Sequence, residues 1–252
     1  LITTLPDLGK LYFRKNKNDC KFIYIFHSLA SSHTQYLKDS FDNFDIILCA
    51  GPHHFNEIRK SEDFYNNKKK ILYKYGYPRL EEISKLKCKM KFNINKQNIL
   101  IAPSWGENSI TNICLEEIIE NLILNNYTVI FRPHNMSLIE NKKKIKNLLK
   151  KYSNNDAFIY DNSNSSIESL LKADLMIADW GSTGSDFSLG LEKPVIYINT
   201  PTKIRNKEYK NISNTAFEFE IREQIGTILN LNKLSNLPSL ISQILKNHDK
   251  DN

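Results

Sequence analysis

The sequence predicts an α/β protein with parallel β-sheets, organised in two domains. Short apolar runs of strand length alternate with helical stretches, which is the pattern of parallel strands connected by helices. Polar residues of the types used in binding and catalysis directly follow most of these runs, and open parallel sheets bind ligands at that end of their strands. A polar, lysine-rich stretch near residues 85–97 separates two such series and predicts domains at residues 1–90 and 91–252.

The first domain is expected to be small and incomplete. Its apolar runs predict strands at residues 22–26, 45–50 and 71–74, with a helix at about residues 54–63 and a basic helical linker at about 81–91. These are few strands for a doubly wound domain, and the chain begins without an initiator methionine. We therefore expect the chain to be N-terminally truncated.

The second domain shows a more regular series. Strands are predicted at residues 98–102, 128–131, 157–160, 175–178 and 194–198. Helices are predicted at residues 110–124, 139–151 and 166–171, from near residue 182, and over about 216–247. The first of these helices is amphipathic, because Ile113, Ile118 and Leu122 share one side. The series predicts a nearly complete five-strand domain followed by C-terminal helices.

Composition limits the class of protein and its partners. A formal net charge of +7 favours an anionic partner, such as a phosphorylated substrate, anionic lipid or nucleic acid, although a solvated lysine-rich surface explains it equally well. No RNP, zinc-finger or KH signature accompanies the charge, so nucleic-acid binding is not expected. No apolar window approaches the roughly 18 residues of a membrane span, and the scattered cysteines indicate free thiols in the cytoplasm.

The segment Gly181-Ser182-Thr183-Gly184 lies between a predicted buried strand and a helix. Glycines permit close backbone approach, while the N–H groups of a helix start and two hydroxyls can hold phosphate oxygens. Asp186 falls about one turn into the helix, where its carboxylate can accept hydrogen bonds from ribose hydroxyls. Simple N-capping by Ser182 or Thr183 remains the alternative.

Arg132-Pro133-His134 follows another predicted strand. Arginine offers a planar fork of donors suited to phosphate, and His134 can donate to a pyrophosphate or protonate a departing one. His134 has an alternative role as the cap of the next helix.

Histidines are concentrated in the first domain. His27 ends a strongly apolar strand, where it can deprotonate an incoming hydroxyl, although a structural histidine is equally compatible with the pattern. His33, His53 and His54 can line the same region. No HExxH or carboxylate–histidine spacing supports a metal site, and the chain has no Walker A loop and no GxSxG elbow. We therefore expect neither a metal ion nor a cofactor.

Five short motifs together resemble a known family. In chain order they are Phe26-His27-Ser28, Gly76-Tyr77-Pro78-Arg79-Leu80, Ile101-Ala102-Pro103-Ser104-Trp105, Arg132-Pro133-His134 and Asp179-Trp180-Gly181-Ser182-Thr183. This series resembles the CDP-glycerol glycerophosphotransferase family of teichoic-acid-type polymerases, over roughly residues 22–200. Each motif is short, but five in the same order are much more specific than any one.

The resemblance implies a GT-B fold, with two Rossmann-like domains facing a cleft. It also implies metal-independent transfer of glycerol phosphate or a related group from a CDP-linked donor to a polymer hydroxyl. His27 would be the base, and the donor's phosphates would be bound by Ser104, Arg132, His134, Gly181, Ser182 and Thr183. Asp186 would contact the ribose, and Arg79, His33 and His53 would lie in the cleft. The expected acceptor is a polyol-phosphate or polysaccharide, and peripheral contact with the anionic inner face of the cytoplasmic membrane is compatible with the charge.

The chain departs from the family pattern in the loop after His27. Where the family has His-Gly-Thr-Pro-Leu-Lys, this chain has His27-Ser28-Leu29-Ala30-Ser31-Ser32, and the Asp-Tyr-Ser-Ser motif is also altered. These differences favour a divergent member with a different acceptor or transferred group. Other GT-B enzymes, such as a sugar-nucleotide glycosyltransferase or a UDP-sugar 2-epimerase, remain alternatives, as do a non-catalytic nucleotide-binding protein and a basic nucleic-acid-binding protein.

Overall fold

The computed structural model describes residues 1–10, 20–87, 97–163, 165 and 167–251. The strands in these residues are β1 (Ile2–Thr3), β2 (Ile23–Ile25), β3 (Ile46–Cys49), β4 (Ile71–Lys74), β5 (Asn98–Ile101), β6 (Thr128–Phe131), β7 (Phe158–Tyr160), β8 (Leu175–Ala178), β9 (Val195–Asn199) and β10 (Thr227–Asn230). The helices are α1 (Ser32–Gln35), α2 (Pro52–Phe64), α3 (Pro78–Lys87), α4 (Ile110–Ile113), α5 (Leu115–Leu124), α6 (Asn135–Glu140), α7 (Lys142–Lys151), α8 (Ile167–Lys172), α9 (Thr183–Leu191), α10 (Tyr209–Ile212), α11 (Phe217–Ile225) and α12 (Leu237–Asp251), with a 3₁₀ helix at Leu231–Asn236.

Contacts between residues divide the chain into two compact units. Unit 1 comprises Leu1–Pro78 and Lys203–Ile221, and unit 2 comprises Arg79–Thr202 and Arg222–Asn252. The predicted boundary between residues 90 and 91 lies outside the described residues. The units differ from the predicted domains because α3 packs within unit 2 and because residues 203–221 return to unit 1.

Unit 1 is built on a parallel sheet with strand order β1-β2-β3-β4. The three predicted strands are confirmed, and the sheet gains β1, which is too short to give a periodic signal. Tyr24 is fully buried at the centre of an aromatic cluster, with ring centroids 5.1 Å from Phe26, 5.0 Å from Phe41 and 5.2 Å from Phe44. Such edge-to-face contacts stabilise the core beyond the burial of apolar area.

Unit 2 is built on a six-stranded parallel sheet with strand order β10-β9-β8-β5-β6-β7. Its strands are apolar on both faces, as expected of a parallel sheet covered by helices. On β5, for example, Ile99, Leu100 and Ile101 are all fully buried. Ile99 and Ile101 pack with α5 and α12, whereas Leu100 packs with α9, because successive side chains point to opposite faces.

One predicted helix of unit 2 is wrong in part. Residues 227–230 form β10 and pair with β9, although the sequence predicts helix over about 216–247. A four-residue apolar run does not distinguish strand from helix by its period. Gly226 precedes the strand, and a Cβ at this position would lie 2.7 Å from the carbonyl oxygen of Val195. Glycine therefore permits the close approach that brings β10 to the sheet.

Candidate functional site

The carboxyl ends of β5, β6 and β8 lie at one edge of the unit 2 sheet, because these strands are parallel neighbours. Two contacts connect the loops that follow them. A Cβ placed on Gly181 would lie 3.5 Å from the Cβ of Ser104, and the Trp105 and His134 rings are 6.1 Å apart. The structure thus brings together Ser104, His134 and Gly181, which the sequence predicts to bind one ligand.

Asp179 fixes the shape of this edge. It is fully buried, and its Oδ1 accepts a hydrogen bond from the Ser104 amide at 2.7 Å. Its Oδ2 accepts another from the Ile110 amide at 2.9 Å, at the start of α4. Both carboxylate oxygens therefore hold the loop that carries Ser104. The Ser104 residue is only 4% exposed.

The start of α9 presents the predicted phosphate-binding segment. Ser182 is the N-cap residue but makes no side-chain capping bond, so simple capping does not explain its hydroxyl. Ser182 and Thr183 are half-buried, and the first amides of a helix lack intrahelical acceptors. Gly184 has a packing role, since a Cβ there would lie 2.7 Å from the Tyr197 ring.

Asp186 and Arg79 form an ion pair inside unit 2. The Nε of Arg79 donates to Oδ2 of Asp186 at 2.7 Å, and the Asp186 side chain is only 5% exposed. The structure therefore places this carboxylate in an internal contact between α3 and α9. The ribose contact of Asp186 and the cleft position of Arg79 stay predictions.

Arg132 is held by the segment that follows β7. Its Nη1 donates to Asp161 Oδ2 at 2.7 Å and to Ser163 Oγ at 3.1 Å, and its Nη2 donates to the Ser163 carbonyl at 3.1 Å. Burial raises the pKa of Asp161, but hydrogen bonds from Ser163, Ser169 and Arg132 outweigh it and lower this pKa to about 2. Asp161 is not among the site residues predicted from the sequence, although it directly follows a predicted strand just as Arg132 does.

His134 is exposed and is the N-cap of α6. Its Nδ1 accepts a hydrogen bond from the Met136 amide at 3.1 Å, so the alternative capping role is present. In the neutral ring this bond places the proton on Nε2, which makes Nε2 a hydrogen-bond donor. Capping and phosphate binding are thus compatible, because they use different ring nitrogens.

In unit 1, His27 follows β2 and is exposed. Partial desolvation lowers the pKa of His27, and a hydrogen bond with the Thr4 backbone offsets part of this effect. The Tyr77 hydroxyl donates to the His27 carbonyl at 3.2 Å, so the Gly-Tyr-Pro-Arg motif supports the backbone of this histidine. A neutral imidazole at the end of a strand has the properties of a general base.

Two buried carboxylates hold the loop after His27. Glu218 accepts hydrogen bonds from the Ser31 amide at 2.9 Å and from the Thr34 hydroxyl at 2.6 Å. Glu57 accepts from the amide of Ser32 at 2.6 Å and from its hydroxyl at 2.8 Å. The loop amides thus bind acidic side chains of the protein itself.

The remaining unit 1 histidines contact other parts of the protein. His54 is fully buried, stacks on Phe26 with a centroid distance of 3.7 Å, and bonds the Ala30 carbonyl at 2.9 Å. His53 bonds the Leu29 carbonyl at 2.8 Å, and His33 is 2% exposed. Among the described residues, no group of three or more His, Cys, Asp or Glu side chains could hold a metal ion. The cleft positions of His33 and His53 stay predictions.

The burial of His54 predicts acid-sensitive stability. Burial and the neighbouring His53 lower the pKa of His54 from 6.5 to about 3. Between these values the unfolded chain binds a proton that the folded chain does not, so stability falls as pH falls. We expect the free energy of unfolding to decrease by about 2 kcal/mol between pH 7.5 and pH 5. Urea unfolding at a series of pH values measures this decrease.

His54→Gln provides the control, because glutamine does not titrate. The variant should show a clearly smaller decrease over the same pH range, and an unchanged decrease would show that other groups cause it. Burial raises the pKa of Glu57, but His33, 3.4 Å away, and the hydrogen bonds from Ser32 outweigh burial and lower this pKa to about 2. The contribution of ionised Glu57 to the free energy of unfolding is lost only as pH falls from 4.5 towards 2, which is below the range tested.

The two parallel β-sheets with their connecting helices define a GT-B-like protein. Solved structures of this class superpose on the chain. A wall teichoic acid polymerase, TagF, matches with a TM-score of 0.57 and 16% identity over 96% of this chain and 65% of its own. The Methanocaldococcus jannaschii UDP-GlcNAc 2-epimerase matches with a TM-score of 0.55 and 14% identity over 89% of this chain and 62% of its own.

The chain belongs to the CDP-glycerol:poly(glycerophosphate) glycerophosphotransferase family, whose model matches residues 26–222. This confirms the family that the five motifs predict. The teichoic acid poly(glycerol phosphate) polymerase of Bacillus spizizenii is 28% identical over an alignment of 186 residues that covers 64% of this chain and 42% of that protein. The chain thus spans about two fifths of the length of this relative. Within the described residues, no helix is long and apolar enough to cross a membrane.

Proposed function

We propose that this chain provides the donor-binding unit and the general base of a transferase that moves glycerol phosphate, or a related group, from a CDP-activated donor to a hydroxyl of a bacterial surface polymer. The observation that carries the proposal is the edge of the unit 2 sheet. There the start of α9, the Ser104 loop and the Arg132–His134 segment present hydrogen-bond donors after three neighbouring parallel strands. Family membership supports the choice of a CDP-linked donor.

Each of these groups has one role in the proposed transfer reaction. The acceptor oxygen forms a bond to the phosphorus that carries the glycerol, and the bond from that phosphorus to the CMP oxygen breaks. His27 takes the acceptor proton, and CMP leaves with the electron pair of the broken bond. Charge grows on the departing phosphate, where Arg132, the His134 Nε2–H and the α9 amides are the proposed donors. Fixed donors of this kind each contribute roughly 10²–10³ to the rate of comparable reactions.

The partners follow from the same chemistry. The net charge of +7 fits a polyol-phosphate acceptor, which is itself polyanionic, and peripheral contact with anionic lipid. We propose the polymer as the principal partner because the family's acceptor is a poly(glycerophosphate).

Calorimetric titration with CDP-glycerol, CDP, UDP, GDP and a short oligonucleotide tests the donor assignment. We expect selective binding of CDP compounds by the wild type, weakened in the His134→Ala variant. Selective binding of UDP or GDP would support a nucleotide site but would show that the donor carries a different nucleotide. Binding of the oligonucleotide alone, or of none of these ligands by folded protein, would contradict the proposed function.

A further inference from the structure

Among the described residues, the guanidinium of Arg132 is held along its Nη1–Nη2 edge. Asp161 and Ser163 bind Nη1, and the Ser163 carbonyl takes one of the two Nη2 protons. The Ser165 carbonyl also accepts from Nη1, at 3.3 Å. The arginine side chain is 18% exposed, so it is held firmly without being enclosed.

The opposite edge of the same group carries N–H donors that the Asp161–Ser165 segment does not use. A guanidinium has five N–H donors in one plane, and Nε–H lies on the same edge as one Nη2 proton. Within the described part of the chain, no hydrogen bond is made by the Arg132 Nε. This edge has the spacing that binds two phosphate oxygens side by side.

Asp161 is itself held in place and charged. Its Oδ1 accepts from the Ser163 amide at 2.9 Å and from the Ser163 hydroxyl at 2.6 Å, which leaves Oδ2 for Arg132. The low pKa of Asp161 keeps the carboxylate ionised throughout the neutral range. The carboxylate therefore stays charged opposite Arg132 at neutral pH, and its position is set by the hydrogen bonds of the turn after β7.

We propose that Asp161 is a positioning residue that directs the Nε–Nη2 edge of Arg132 towards the pyrophosphate of the donor. The inference rests on the proposed function. Asp161 binds Nη1 and not the Nε–Nη2 edge, so it orients Arg132 rather than competing with the ligand for it. A long, flexible side chain that is already oriented loses less conformational entropy when the anion binds.

Asp161→Asn tests this role, with Asp156→Asn as the matched control. Asp156 is exposed and precedes the same strand. Asparagine has nearly the size of aspartate, but it is uncharged and has an NH₂ group in place of one of the two carboxylate oxygens. We expect Asp161→Asn to weaken binding of CDP-glycerol and of inorganic pyrophosphate by about tenfold, whereas Asp156→Asn leaves both unchanged.

A double-mutant cycle with Arg132→Gln separates positioning from a general effect on folding. If Asp161 acts through Arg132, Asp161→Asn has no further effect once Arg132 is replaced. Equal weakening in both backgrounds would overturn the inference, and so would tighter binding by Asp161→Asn, which would identify the carboxylate as a competing counter-ion.

Inorganic pyrophosphate also distinguishes this inference from the proposed function. Wild-type protein that binds pyrophosphate but no cytidine nucleotide would defeat the proposed donor and leave the test of Asp161 intact. Wild-type protein that binds neither would overturn both.

Discussion

Replacement of His27 by alanine is expected to lower the turnover number by about 10²–10⁴-fold while leaving nucleotide affinity unchanged, because a general base contributes about this much to a proton transfer. His27 lies in unit 1, whereas every proposed phosphate donor lies in unit 2. Its exposed position after β2 and its lowered pKa both suit a base that is neutral at working pH. Turnover of CDP-glycerol and calorimetric titration of CDP measure the two effects separately.

The pH profile provides the control for this prediction. Protonation removes the base, and the pKa of His27 lies below 6.5 because of desolvation, so turnover should fall on the acid side with a midpoint below that value. The residual activity of His27→Ala should lack this fall. Equal losses of turnover and of nucleotide binding would contradict the separate roles of the two units.

The sequence predicts the positions of the strand ends well, because apolar runs in a parallel sheet are buried on both faces and stop abruptly. Ser104, Arg132 and Gly181 are therefore found from sequence alone, at one edge of one sheet. Asp161 could have been found by the same rule. Its role depends on the β6–β7 pairing, which only the fold reveals.

Contacts between residues distant in sequence are not predictable in this way. Nothing local to Glu218 indicates that its carboxylate binds the amide of Ser31, at a separation of 187 residues. The pairing of Asp186 with Arg79 similarly depends on α3 packing in unit 2. A motif identifies a residue type that is suited to the chemistry. Tertiary packing determines which other residue of the protein forms a hydrogen bond or ion pair with it.

The largest expected effect in unit 2 concerns His134, whose Nδ1 caps α6 and whose Nε2 is a proposed phosphate donor. Removing a fixed donor at a developing charge reduces rates by roughly 10²–10³, so His134→Ala should slow turnover by about this factor. The same change removes the Nδ1 cap of α6 and should cost about 1 kcal/mol of stability. Turnover assays and urea unfolding of the same preparations measure both quantities.

His134→Asn separates these roles, because asparagine is among the best N-cap residues but does not reach as far as the histidine Nε2. We expect this variant to unfold at the wild-type urea concentration and to remain as slow as His134→Ala. Recovery of both stability and turnover would show that His134 serves the protein only as a helix cap. The proposed phosphate donors would then be Arg132 and the α9 amides. The departing CMP would receive no hydrogen bond from His134, whose ring lies beside Trp105.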